Sequence, residues 1–113
     1  MPDPESLIAE LRGQFEPVAD PATAAEMRRY MKDRFTFLGV QAKERRTASK
    51  PIIAVARTAE PDALLELAQV CWNQPEREFH YVGTDALRAG AGRLRARDLD
   101  LVRGFIIATP WWD

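Results

Sequence analysis

The stretch PDALLELAQVCWNQPEREFHYVGTDALRA, residues 61–89, decides the fold. Leu64, Leu67 and Cys71 recur at i, i+3 and i+7 with Ala68 at i+4, and Phe79, Val82 and Ala86 repeat that spacing. Each set makes one apolar stripe along a helix, and no segment alternates for long with strand period. Pro61 and Pro75 sit where helices begin, because the first helical position has no use for the N–H that proline lacks. Two helices, 61–73 and 75–89, joined by so short a connection pack as an antiparallel pair.

The same signals run outward in both directions. Ile8, Leu11 and Phe15 form one stripe, Ala24, Met27 and Met31 a second, and Leu99, Val102 and Ile106 a third. Asp3-Pro4 and Asp20-Pro21 read as a capping acid followed by a first-turn proline. Gly39 is expected to end the second helix after Phe35-Thr36-Phe37-Leu38, and Gly90-Ala91-Gly92 to break the fifth. Pro51-Ile52-Ile53-Ala54-Val55 reads as a helix continuing from Lys43. The spacing thus predicts about six helices at 4–16, 21–34, 41–57, 61–73, 75–89 and 97–107, with a seventh starting at Pro110.

Helix pairs at this period predict an all-α fold, a HEAT-like or armadillo-like superhelix of antiparallel pairs. Internal identity between the pairs is poor, so helix lengths and order carry that reading, and an irregular helical bundle has the same lengths. Thr109-Pro110-Trp111-Trp112-Asp113 announces a helix that has room for about one turn, too little to nucleate. Residues 1–113 are therefore expected to be the N-terminal, truncated part of a single helical-repeat domain, with an apolar end that would promote dimerisation.

An apolar fraction of 46% and a charged fraction of 29% suit an ordinary soluble domain. No apolar run approaches the length of a membrane span, and no signal-peptide core follows Met1. The single Cys71 can form no internal disulfide, which points to a reducing, cytoplasmic setting, and its apolar helical context to a buried structural thiol. No Cys/His cluster offers a metal site. His80, between Phe79 and Tyr81, reads as a surface or interface side chain.

The net charge of −1 hides an uneven distribution. Residues 1–27 carry one Arg against six acids, whereas 28–57 carry nine Lys and Arg against two acids. Such a belt suits a polyanion-binding face, and it also suits a plain solvated helical face. Tyr30 lies within Met27-Arg28-Arg29-Tyr30-Met31-Lys32, and an aromatic among cations fits a nucleic-acid surface, rings against bases or sugars and cations against phosphates. No complete catalytic constellation lies within the chain.

Met27-Arg28-Arg29-Tyr30-Met31-Lys32, running into Phe35-Thr36-Phe37-Leu38-Gly39-Val40, resembles the opening motif of the alkylpurine DNA glycosylases of the AlkD type. The match continues through Arg45-Arg46 and Ser49-Lys50-Pro51, and is densest over Trp72-Asn73-Gln74-Pro75-Glu76-Arg77-Glu78-Phe79 and Tyr81-Val82-Gly83-Thr84-Asp85. It ends in Leu101-Val102-Arg103-Gly104-Phe105-Ile106 and Trp111-Trp112-Asp113.

This resemblance implies a HEAT-like solenoid cradling double-stranded DNA that carries alkylated bases. It implies hydrolysis of the N-glycosidic bond of cationic alkylated purines, of the 3-methyladenine and 7-methylguanine type, without metal or organic cofactor. Trp112 matches the family's lesion-contacting tryptophan and Tyr30 an aromatic of the same site. Arg29, Lys32, Arg45, Arg46 and Lys50 are the expected contacts to the DNA backbone. Asp113 matches the acid directly after the tryptophan, not the catalytic one. The family's catalytic Asp follows about one turn later and its partner Arg further on, so these 113 residues are expected to hold no catalytic residue and to be inactive by themselves. A non-catalytic helical-repeat module for nucleic acid, or a protein-interaction scaffold, would share the fold.

Overall fold

The structure, a computed structural model, describes residues 3–108. Among these residues six α-helices follow one another: α1 Pro4–Phe15, α2 Pro21–Tyr30, α3 Ala42–Thr58, α4 Pro61–Trp72, α5 Arg77–Ala89 and α6 Leu99–Ala108. The all-α, HEAT-like expectation holds. The starts are built as the sequence suggests: Asp3 accepts from the Ser6 N–H at 3.2 Å and Asp20 from the Ala22 N–H at 3.1 Å, with Pro4 and Pro21 next in line. Pro51 sits inside α3 without ending it. The start of a seventh helix at Pro110 lies outside the described residues, as do Trp111, Trp112 and Asp113.

Three of the stripes close with α3 into the main core. Ile8, Leu11 and Phe15 of α1 meet Ile52 and Ala56 of α3, Leu64, Leu67 and Cys71 of α4, and Phe79, Val82 and Ala86 of α5. Phe15 and Phe79 join the two ends of the cluster, ring centroids 5.3 Å apart and tilted by 57°. Helices α4 and α5 approach so closely at Gly83 that a Cβ there would lie 2.6 Å from the Trp72 ring. Cys71 is wholly buried and desolvation pushes its thiol up to about 12, so it packs as a small hydrophobe, as expected.

Three boundaries differ from the sequence expectation by two residues or more. Helix α2 stops at Tyr30 rather than 34, because Lys32 and Asp33 both take left-handed backbone, with φ of 56° and 59°. Gly39 is accordingly no helix terminator; it lies in an extended strap of residues 36–41 that crosses from α2 to α3. Helix α5 begins at Arg77 instead of Pro75, since Glu76 is extended and forms an isolated parallel bridge with Thr36. Helix α6 begins at Leu99, after a 3₁₀ turn at Ala96–Asp98 in which the Asp98 carboxylate accepts from the Arg95 N–H at 2.7 Å. That turn carries Leu99 outward, 59% exposed, while Val102 packs against Leu65 and Ala68.

Candidate nucleic-acid interface

Helix α2 reaches the body of the protein through the strap. The Thr36 carbonyl accepts from the Arg77 N–H at 2.8 Å, and the Gly39 carbonyl accepts from the Asp20 N–H at 3.2 Å. Between them the Glu78 carboxylate, 1% exposed, accepts from the N–H groups of Leu38, Gly39 and Val40 at 2.9–3.1 Å. Three backbone donors on one carboxylate make a charge-assisted clamp. Gly39 makes the crossing feasible: its φ is +88°, and a Cβ would run into the Asp20 carbonyl and lie 2.9 Å from the Ala24 nitrogen. Below the strap, Ala24, Met31 and Phe37 form a small second core that Met27, Phe35 and Tyr81 cover.

This joint sets Tyr30, 78% exposed, on the rim of a hollow of about 230 Å³ that Met27, Phe37, Arg45 and Tyr81 also line. The Arg45 guanidinium carbon lies 4.7 Å from the centroid of the Tyr81 ring. Arg77 lies 5.2 Å from the same ring and 4.1 Å from that of Phe35. The Nε of Arg45 is buried and has no hydrogen-bond partner among the described residues. A second hollow of about 290 Å³, sharing Arg45 and Tyr81, is completed by Trp72, Arg77, His80, Thr84, Asp85 and Arg88. A third, about 620 Å³, shares Asp85 and is lined on α3 by Arg46, Ser49, Lys50 and Arg57. Shared walls make the three one continuous strip, with rings among cations in the first two hollows and cations with Asp85 in the third. A separate hollow of about 470 Å³ between α1 and α3 shares no lining residue with it.

His80 is not a surface side chain: it is 6% exposed, packed between the strip and the turn before α5. Its Nε2 lies 2.8 Å from the Gln74 carbonyl, so Nε2 carries the proton and Nδ1, 3.5 Å from the Arg77 Nη1, accepts. Trp72 stacks on the ring at 6.0 Å and Phe35 meets it edge-on at 6.3 Å. Burial holds the His80 pKa below its ordinary value and the nearby Arg77 charge adds to this, against the hydrogen bond to Gln74. The unfolded chain therefore takes up a proton near pH 6.5 that the folded chain refuses until lower pH. Stability is complete above that value and falls as pH drops through the window beneath it. The melting temperature is expected to decline from about pH 7 to about pH 5.5, and less so in His80→Gln, since His80 is the only histidine. A flat profile over this range would contradict the buried neutral ring.

Among the expected site residues, Tyr30 and Arg45 meet in the first hollow, and Arg46 and Lys50 in the third. Arg29 and Lys32 are exposed beside Tyr30 but line none of the described hollows. Trp112 lies outside the described residues. Sequence reasoning missed Arg77, Tyr81 and Arg88 as parts of the face. Tyr81, Asp85 and Arg88 follow at i, i+4 and i+7 on α5, opposite the apolar stripe, so the signal was there as a polar face carrying one ring. Among the described residues no group of three or more His, Cys, Asp or Glu side chains could hold a metal ion, and no helix is long and apolar enough to cross a membrane.

The family model described as DNA alkylation repair enzyme matches residues 11–113. The solved structure of a "Predicted DNA alkylation repair enzyme from Enterococcus faecalis" is similar to this chain, with 29% sequence identity and a TM-score of 0.78. The match covers 84% of this chain and 45% of that one, so this chain spans less than half the length of that protein. No curated protein matches the sequence.

Proposed function

Because the chain belongs to the family of DNA alkylation repair enzymes, we propose that its aromatic and cationic strip binds double-stranded DNA carrying alkylated bases. The observation that carries this reading is the continuity of the three hollows, with Tyr30, Arg45 and Tyr81 at one end and Arg46, Lys50 and Arg57 at the other. Exposed cations along the strip suit phosphates, and the exposed ring suits a base or sugar. The glycosylase resemblance supplies the chemistry: hydrolysis of the N-glycosidic bond of a cationic purine of the 3-methyladenine or 7-methylguanine type. The base already carries positive charge and leaves readily, so the protein's task is to hold the duplex and favour positive charge at the sugar. A cytoplasmic setting belongs to the same reading, supported by the lone buried Cys71.

The test is binding of the 113-residue chain to duplexes with and without a single alkylated base, over a range of salt. Affinity that falls steeply with salt and favours the alkylated duplex supports the proposal; salt-dependent binding without that preference leaves a general nucleic-acid module, and no salt-dependent binding leaves a protein scaffold. Tyr30→Ala provides the sharper check. The side chain is 78% exposed, so melting should shift by no more than about 0.5 kcal/mol equivalent, while affinity falls about fivefold to tenfold through lost stacking. Unchanged affinity would remove Tyr30 from the interface.

A further inference from the structure

Asp85 sits where the second and third hollows meet, and among the described residues it is the only carboxylate lining either. Arg45, Arg77 and Arg88 line one side of it, and Arg46, Lys50 and Arg57 the other. Among the described residues its half-buried carboxylate makes no hydrogen bond and no ion pair, even with Arg88 one turn away on α5. A face made only for phosphates loses affinity by keeping an acid at its centre, since like charges at contact distance repel. The carboxylate is left ready for an incoming positive charge.

The surroundings narrow what that charge belongs to. A lone carboxylate lacks the several oxygens that a calcium or magnesium ion requires. A lysine or arginine of another protein would have to approach past the exposed cations Arg46, Lys50, Arg57 and Arg88, which line the same two hollows. A polyanion that carries one positive group meets neither obstacle, because its phosphates meet the exposed Arg46, Lys50, Arg57 and Arg88 while the positive group reaches the acid. On the reading of the strip as a DNA face, that ligand is a duplex with one cationic base. We infer that Asp85 is a specificity-determining residue that favours duplexes whose alkylated base bears positive charge, through direct attraction between its carboxylate and that base.

The experiment uses three duplexes that differ at one position. One carries guanine, one carries 7-methylguanine on a 2′-fluoro sugar that keeps the glycosidic bond intact, and one carries neutral 7-methyl-7-deazaguanine of the same shape. Wild-type chain is expected to prefer the cationic duplex over the neutral methylated one, and Asp85→Asn to cut that preference about tenfold while binding plain duplex about twofold tighter. Asp85→Glu, which keeps the charge, should retain the preference, with equal melting curves showing that all three chains are folded. A uniform gain of Asp85→Asn for every duplex overturns the inference and makes Asp85 a mere repeller of phosphate, with the DNA reading intact. Equal wild-type affinity for the cationic and neutral methylated duplexes also overturns it. Failure of the wild-type chain to bind any duplex in a salt-dependent way overturns the DNA reading itself.

Discussion

Glu78→Ala is expected to lower the melting temperature by about 10–20 °C, the largest loss of stability that a single polar side chain in this fold should produce. The carboxylate holds the N–H groups of Leu38, Gly39 and Val40, and those of Gly39 and Val40 are buried. Without it these donors lose both their partner and their access to water, at about 1–3 kcal/mol each. Partial relaxation of the strap leaves a net cost of roughly 3 kcal/mol, and a domain of this size moves about 4–8 °C per kcal/mol. Glu78→Gln should fall between the two, because its amide keeps one acceptor oxygen but turns a donor toward donors. Thermal melts followed by far-ultraviolet circular dichroism measure the loss, and amide exchange at residues 38–40 should accelerate with it. A shift below about 2 °C would mean that the strap is held by the small Ala24–Met31–Phe37 core and not by the carboxylate.

This joint also marks the limit of what the amino-acid order discloses. Phe15, Leu67 and Val82 were legible as core because each belongs to a stripe that repeats within its own helix, and burial of that stripe is what stabilises the helix. Tyr30 and Arg45 were legible as surface because the residues around them are charged. The clamp has no such local signature: Glu78 lies 38 to 40 residues from the amides it holds, and beside Arg77 on a helix it reads as solvated charge. The early end of α2 escaped for the same reason. Phe35-Thr36-Phe37-Leu38 has the apolar content of a last helical turn, yet in the fold its backbone is committed to α5 through Thr36 and Glu78. The burial of His80, read as a surface or interface side chain, was not legible because its own neighbours in sequence do not reveal Trp72 and Gln74, which pack against it.

The second large effect runs opposite in sign for stability and for binding. Arg46, Lys50 and Arg57 are all exposed along one side of α3, where Arg46 and Lys50 are four residues apart. Like charges at that spacing destabilise a helix by about 0.2–0.5 kcal/mol. None of the three forms an ion pair with a described residue that would offset this. The triple variant with Gln at all three positions should therefore melt at the same temperature or slightly higher. Its affinity for duplex DNA, in contrast, should fall about 10²–10³-fold near 0.1 M salt, with the slope of log affinity against log salt shallower by about three. Both quantities come from one titration series, each phosphate contact releasing close to one counterion. The combination separates the roles cleanly: a cation kept for the fold takes stability with it when removed, whereas a cation kept for phosphate takes only affinity. A variant whose slope is unchanged would move the phosphate path off this side of α3 and leave Arg45 and Arg88, near Tyr81, as the cations of the strip that meet the backbone.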